Sequence, residues 1–434
     1  MFPVGDTVFA VASGAGRAAI AVLRISGPQS GAVLERLCGR RPAARLASVR
    51  KLRDNFDMVM DEAIVLWLPG PGSFTGEDSA ELHLHGGRAV LLDVAACLVG
   101  MGLRPAEPGE FSRRAFLNGR LDLVKAEAIA DLVEAETTAQ RRQALRQMEG
   151  GLGVLLHQWS STLTRLLAQQ EALIDFPDED LPPEVEAALD QGLGGLHAEI
   201  MAHLNDDRRG ERLREGLVFA VVGAPNAGKS TLVNTLAQRD IAIVSALPGT
   251  TRDILEARIE LGGVPVALLD TAGLRTAADS IEAEGVRRAL SRATQADAVI
   301  VLETETEPAP DDLPAHPRTL RVVAKADLLA AEPAGDVLRI SAHTGAGIAQ
   351  LLAELTRLAI AMTQTEGPPP LTRARHRAAL QEAATRLAAA REAPHPELRG
   401  EDLRLALRAI GRITGQIGVE DILDSVFRQF CIGK

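Results

Sequence analysis

The sequence predicts a multidomain α/β protein: an α+β domain at the N-terminus, a helical domain in two pieces, and an α/β domain inserted between the pieces. Three observations carry this. Short β-like runs separated by turns fill the first 118 residues. Helical periodicity dominates from Leu121 to Leu213 and again from residue 371 to 434. Between these blocks, successive apolar runs each end in a short polar motif.

The elements follow in order. In residues 1–118, Ala19 to Ile25, Glu62 to Leu68 and Ala80 to Leu84 read as strands, and Ala89 to Gly100 as a helix between them. In residues 119–215, Ile129, Leu132 and Val133 set one apolar helical stripe, and Leu152, Leu155 and Leu156 begin another. The acidic break Asp175-Phe176-Pro177-Asp178-Glu179-Asp180 interrupts the helices. The α/β domain spans 216–363. Glu366-Gly367-Pro368-Pro369-Pro370 is a linker by composition, within the second helical piece, 364–434. Insertion is physically reasonable because domain termini often lie close together.

The run Leu217 to Val222 reads as a buried strand and Thr231 to Leu236 as a helix. Between them stands Gly223-Ala224-Pro225-Asn226-Ala227-Gly228-Lys229-Ser230, the full phosphate-binding pattern in the strand–loop–helix context it needs. Loop N–H groups and the helix dipole favour phosphate there. Lys229 would reach the β- and γ-phosphates, and the Ser230 hydroxyl would ligate Mg²⁺.

Downstream motifs choose the base. Asp270-Thr271-Ala272-Gly273 closes the run Val264 to Leu269; the Asp can hold Mg²⁺ through water and the Gly N–H can sense a γ-phosphate. Thr250-Thr251 lies where a switch loop would offer a hydroxyl to the metal. Lys325-Ala326-Asp327 follows Thr319 to Ala324, and an Asp there accepts two N–H bonds that guanine offers and adenine does not. Ser341-Ala342 follows Val337 to Ile340, where a backbone N–H meets the guanine carbonyl. These elements in this order read as a GTPase. Ala324 stands where GTPases usually carry Asn, which weakens bracing of the guanine loop.

Leu274 occupies the position of the usual water-orienting Gln, and an apolar side chain cannot orient water. Glu282, on a helix expected from about Ser280, is a candidate for that role, with an ordinary solvated helix Glu as the alternative. The Asn226 amide oxygen could ligate a monovalent cation beside the phosphates, taking the electrostatic part of an arginine finger.

Composition limits the rest. The chain has 434 residues, 46% hydrophobic and 24% charged, which is globular. A net charge of -11 argues against coating nucleic acid through a broad basic face. Cys38, Cys97 and Cys431 are widely spaced, with no CxxC, so neither a zinc site nor a disulfide framework is indicated. No apolar run approaches a membrane span and the N-terminus lacks signal-peptide order, so a cytoplasmic protein is expected. His83 and His85 share a strand face, but a metal pair there lacks a third ligand. Arg141, Arg142, Arg373, Arg375 and Arg377 could meet RNA or a partner, or form solvated helix faces.

Further motifs point to one family. They are Ser73-Phe74-Thr75-Gly76-Glu77-Asp78, His85-Gly86-Gly87, Pro108-Gly109-Glu110-Phe111-Ser112, Arg114-Ala115-Phe116-Leu117-Asn118, Asp122-Leu123 to Asp131-Leu132, and the ending Phe430-Cys431-Ile432-Gly433-Lys434. With the nucleotide motifs, they resemble the MnmE (TrmE) family of tRNA-modification GTPases over essentially the whole chain.

The resemblance implies a folate-binding, dimerising N-terminal domain, a discontinuous helical domain and an inserted Ras-like P-loop GTPase domain. It implies a homodimer and a heterotetramer with the FAD-dependent protein MnmG (GidA). Together these would add a carboxymethylaminomethyl or aminomethyl group to C5 of the tRNA wobble uridine. The one-carbon unit would come from 5-formyl- or methylenetetrahydrofolate, and hydrolysis would need K⁺.

By resemblance, K⁺ falls to Asn226, Ser245, Leu247 and Thr250, and Mg²⁺ to Ser230 and Thr251. The nucleotide falls to Asn226-Ala227-Gly228-Lys229-Ser230-Thr231, Ser245-Ala246-Leu247-Pro248-Gly249-Thr250-Thr251, Asp270-Thr271-Ala272-Gly273, Lys325, Asp327 and Ser341-Ala342-His343. Glu282 matches the family's water-orienting Glu and acts with Lys229 in hydrolysis, and the resemblance makes Cys431 important for the modification reaction, as a catalytic, structural or substrate-proximal residue. Folate falls to Arg24, Glu81, Arg120 and Lys434, with Glu81 facing pterin donors and an Arg meeting carboxylates or carbonyls. Arg120 replaces the Lys of some members, and Ser245 the Thr of many.

Two other readings stay open: a GTPase switch in ribosome assembly, and a non-catalytic folate-binding scaffold. The first usually appends a Gly-x-x-Gly RNA-binding module, which the C-terminal block lacks. The second is disfavoured by the intact Lys229, Ser230, Asp270 and Gly273.

Overall fold

The structure is a computed structural model. It describes the chain except residues 1–4, 15, 176–182, 225, 240–255, 271–293, 306–307, 309–314, 329–336, 365–366, 417–422, 424–425, 429 and 434. Two compact units form: one from residues 1–130, 147–193 and 385–434, the other from 131–146 and 194–384.

The first unit is built on a six-stranded sheet in the order β3-β4-β5-β2-β1-β6. Its strands are β1 (Val8–Val11), β2 (Ala18–Ser26), β3 (Ser48–Arg53), β4 (Val59–Leu68), β5 (Ser79–Gly86) and β6 (Arg104–Pro105). Alternation in β2 and β5 sends Leu23, Ile25, Ala80, Leu82 and Leu84 into the core. There they meet Val33, Leu34 and Leu37 of α1 (Ser30–Cys38), and Val94 and Leu98 of α2 (Arg88–Gly100). The opposite positions, Arg24, Glu81 and His83, stay partly exposed, so β2 and β5 present a polar face. Beyond the sheet, the long helix α6 (Gly151–Asp175) packs on the C-terminal helix Pro396–Thr414. The Gln170 amide donates to the Pro396 carbonyl at 3.0 Å, and Arg404 pairs with Glu171.

The second unit holds a doubly wound sheet, order β12-β11-β10-β7-β9-β8. Its strands are β7 (Leu217–Gly223), β8 (Glu256–Leu261), β9 (Val264–Asp270), β10 (Ala298–Glu303), β11 (Thr319–Val323) and β12 (Leu338–Arg339). All neighbours pair parallel except the β8–β9 hairpin. The buried runs of β7, β9 and β10 lack polar alternation, as a sheet covered on both faces requires. Leu232 and Leu236 of α9 (Lys229–Ala237) and Leu351 and Leu355 of α10 (Ile348–Thr363) complete this core. The segments flanking the sheet are tied to each other: Asp131 accepts from Arg214 at 3.0 Å and from Arg373 at 2.6 Å, and Arg377 reaches Glu211 at 2.6 Å.

Among the described residues the expected strands and helices are present, most of them longer than their apolar cores; the helix expected from about Ser280 lies outside the described residues. The run at Val337 shrinks to Leu338–Arg339, because the Ile340 carbonyl accepts from the Ala326 N–H. β1, β3, β6, β8, β10 and α1 were not foreseen.

Candidate functional site

The nucleotide motifs converge at the C-terminal end of the second sheet. β7 lies between β9 and β10, so its carboxyl end is the switch point of a doubly wound fold. Gly223 ends β7 with φ 151°, and a Cβ there would sit 2.1 Å from the Leu302 carbonyl oxygen on β10. Only glycine lets the two backbones approach this closely. Asn226 (φ 60°) and Gly228 (φ 97°) are left-handed, which turns the loop into α9. Ser230 and Thr231, in the first turn of α9, are exposed. The N-terminal N–H groups of such a helix form an anion site. Lys229 is buried, its ammonium donating to the carbonyls of Gly223 at 2.9 Å and Ala224 at 2.7 Å.

Asp270 ends β9, buried and in register with Val221 of β7. Ser230 and Asp270 are hard oxygen donors, the kind Mg²⁺ takes, and they belong to adjoining elements. Lys325 turns through φ 57° into a 3-10 turn, Ala326–Leu328. Ala324 is buried in the sheet core, its N–H bonded to the Glu303 carbonyl at 2.8 Å, so the guanine loop keeps its backbone anchor without the usual Asn. The Ser341 hydroxyl donates to the Asp327 carboxylate and holds its carboxyl below the usual value, helped by the Asp327 N–H and the nearby His343. The loop Ser341-Ala342-His343 joins α9 through Thr235, whose hydroxyl lies 3.4 Å from the Ala342 carbonyl.

The structure thus gathers Asn226 to Thr231, Asp270, Lys325, Asp327 and Ser341 to His343 around one end of one sheet. Residues 245–251, 271–273 and Glu282 lie outside the described residues.

In the first unit, Arg24 and Glu81 face each other across β2 and β5. The guanidinium donates to Glu81 Oε1 through Nε at 3.1 Å and Nη2 at 2.9 Å. It also lies over the rings of Phe74 (5.4 Å) and Phe111 (5.7 Å). His83 Nε2 stands 3.6 Å from Glu81 Oε2. His85 turns elsewhere, its Nδ1 2.7 Å from Asp61. Among the described residues, no group of three or more His, Cys, Asp or Glu could hold a metal ion.

The separate sequence motifs interlock around this pair. Asn118 donates to the Thr75 carbonyl at 2.7 Å, and the Arg120 stem packs over Gly76. Arg114 bridges Glu77, Asp6 and Glu110, and Arg104 closes the network onto Asp6 and Glu110. Burial alone would raise the Glu110 carboxyl; bonds from Arg104, the Glu107 N–H and Arg114 outweigh it and hold it below its usual range. Cys431 is exposed, and its carbonyl accepts from the Gly109 N–H at 3.4 Å. Phe427 and Phe430, buried with Leu123, anchor that tail. Lys434 lies outside the described residues. Cys38 is half-buried and Cys97 buried, and burial pushes the Cys38 thiol up to about 11. The aromatic flanks of Arg24 and the five-member ion network had not been foreseen, since nothing in sequence spacing announces them.

The switch-point loop, the strand-end Asp270 and the Asp327–Ser341 pair define a P-loop GTPase. The MnmE helical-domain family model matches residues 123–431, and that of the GTP-binding protein TrmE N-terminus matches residues 7–120. A tRNA modification GTPase MnmE of Gluconacetobacter diazotrophicus is 58% identical over 431 residues, covering 98% of each chain. That of Rhodospirillum rubrum is 55% identical over 452 residues, covering 99% of each. The chain belongs to the MnmE family of tRNA modification GTPases. Among the described residues, no helix is long and apolar enough to cross a membrane.

Proposed function

We propose that this protein is a K⁺-activated GTPase whose hydrolysis cycle drives modification of C5 of the tRNA wobble uridine, in the cytoplasm. It would work as a homodimer, with an FAD-dependent partner of the MnmG kind, and use a tetrahydrofolate one-carbon unit. The observation that carries the coupling is the convergence of Arg24, Glu81, Phe111, Gly109 and the Cys431 tail within one unit.

Each residue then has a task. Main-chain N–H groups of the loop and α9 cradle phosphates, and Lys229 leaves its carbonyl partners to meet them. Asp327 selects guanine. Ser230 and Asp270 fit Mg²⁺, which would neutralise charge on the phosphates. Asn226, exposed beside the loop, offers an amide oxygen to K⁺. In the first unit, the Phe74 and Phe111 rings and the Arg24–Glu81 pair form a planar, polar surface suited to a pterin. Glu81 supplies acceptors to pterin N–H groups, and Arg24 orients that carboxylate. Cys431 sits next to Gly109 on the same unit, exposed and available to the reacting base.

The test is mass analysis of wobble uridine in a deletion strain complemented with wild type, Arg24→Ala or Glu81→Gln. Both variants should leave the modified nucleoside absent while purified protein hydrolyses GTP at the wild-type rate. Full modification in both would remove the proposed one-carbon site.

A further inference from the structure

We propose that His83 is a positioning residue of the one-carbon site: it fixes the Glu81 carboxylate in the orientation that receives the pterin. The proposal rests on the reading of the Arg24–Glu81 pair as the pterin site.

Arg24 leaves Glu81 half held. Both donating atoms, Nε and Nη2, go to Oε1, at 3.1 and 2.9 Å, and Oε2 receives no hydrogen bond among the described residues. A guanidinium fork on both oxygens would fix the plane of the carboxylate. Held by one oxygen, the group can swing about it, because the last torsion of a Glu side chain is broad. Pterin N–H groups need Oε2 in one place, so a second restraint has to stop the swing.

His83 stands on that side. Residues 81 and 83 are two apart on β5 and share a face. The His83 Nε2 lies 3.6 Å from Glu81 Oε2, is closed to solvent, and has no hydrogen-bond partner among the described residues. Other acceptors are remote from the ring. Its cross-strand neighbours, Val22 on β2 and Ile64 on β4, are apolar, and His85, next along β5, is turned to Asp61. A carboxylate beside one ring nitrogen selects the tautomer with the proton on that nitrogen.

At 3.6 Å the N–H and the oxygen stand just beyond a hydrogen bond. A small turn of the carboxylate about Oε1 closes the gap without breaking the Arg24 contacts. A buried N–H left unpaired is costly, which favours that turn. Glu81 is then held at both ends, Oε1 by Arg24 and Oε2 by His83, and a lone pair of Oε2 remains for the ligand. His83 acts through Glu81 and does not itself touch the pterin.

The probe is 5-formyltetrahydrofolate, titrated calorimetrically into the full-length protein. His83→Leu fills similar space without an N–H and should weaken binding roughly tenfold, from one lost charge-assisted bond. His83→Gln keeps an N–H donor and should bind within about threefold of wild type. A packing role alone would not be rescued by Gln. Glu81→Gln is the reference and should weaken binding at least as much as His83→Leu. With Glu81→Gln weak, wild-type affinity in His83→Leu, or His83→Gln as weak as His83→Leu, would overturn the role of His83 and leave the pterin site standing. Wild-type affinity in Glu81→Gln would remove the pterin site and this proposal with it.

Discussion

Asp327 and Ser341 meet side chain to side chain beyond the ends of the neighbouring strands β11 and β12, the Ser341 hydroxyl donating to the Asp327 carboxylate. The carboxylate is thereby kept ionised and aimed, although the Asn that usually braces this loop is Ala324. In the proposed function, guanine recognition therefore rests on Asp327. Asp327→Asn should lower GTP affinity by roughly 100-fold, through loss of two charge-assisted bonds. The amide can instead donate to a carbonyl at C2, so xanthosine triphosphate should bind the variant better than GTP does. Competition binding with the two nucleotides checks this.

Gly223 faces the Leu302 carbonyl so closely that any Cβ must push β7 and β10 apart. Gly223→Ala should cost about 2–4 kcal/mol of stability, seen as a lower Tm of the nucleotide-free protein. A Tm equal to wild type would mean that the strands are spaced more widely than described.

The phosphate site was legible because backbone geometry dictates its residue types. A loop closing on a helix N-terminus needs glycine at Gly223 and Gly228, and the spacing to Lys229 survives any change of surroundings. The first unit was far less legible from chemistry alone. Arg114 and Asp6 stand 108 residues apart, and Arg24 and Glu81 57 apart. Those pairings exist only once strand register and the packing of Glu110–Leu117 are fixed. Resemblance named Arg24 and Glu81, but only the fold shows that they pair and that Phe74 and Phe111 flank them. The short edge strand β12 escaped its expected length because Ile340 turns its carbonyl to the guanine loop.

Acid should act through the ion network. Burial alone would raise the Asp6 and Glu110 carboxyls, but the bonds from Arg114 and Arg104 hold both below their ordinary values of 3.8 and 4.5. A depressed folded value means stability that is fully present above those ordinary values and lost as pH falls through the folded ones. Tm should therefore be flat from neutrality to about pH 5 and fall below it. Glu110→Gln should lower Tm at pH 7, by about 3 kcal/mol in stability, because Arg104 and Arg114 lose a buried partner, and should show a shallower acid slope.

Gly109 touches the C-terminal segment: a Cβ on it would lie 2.4 Å from the Phe427 carbonyl oxygen, and its φ is 69°. Gly109→Ala should shift that segment and with it Cys431. GTP hydrolysis should persist while wobble-uridine modification falls at least tenfold, by nucleoside mass analysis. Retained modification would detach the Cys431 tail from the proposed site.

The central claim, a cation-completed GTPase site, is tested most directly by GTP hydrolysis in KCl against NaCl at equal ionic strength, with Asn226→Ala beside wild type. Strong stimulation by K⁺ in the wild type, lost in the variant, is the predicted result. Equal rates in the two salts would contradict it.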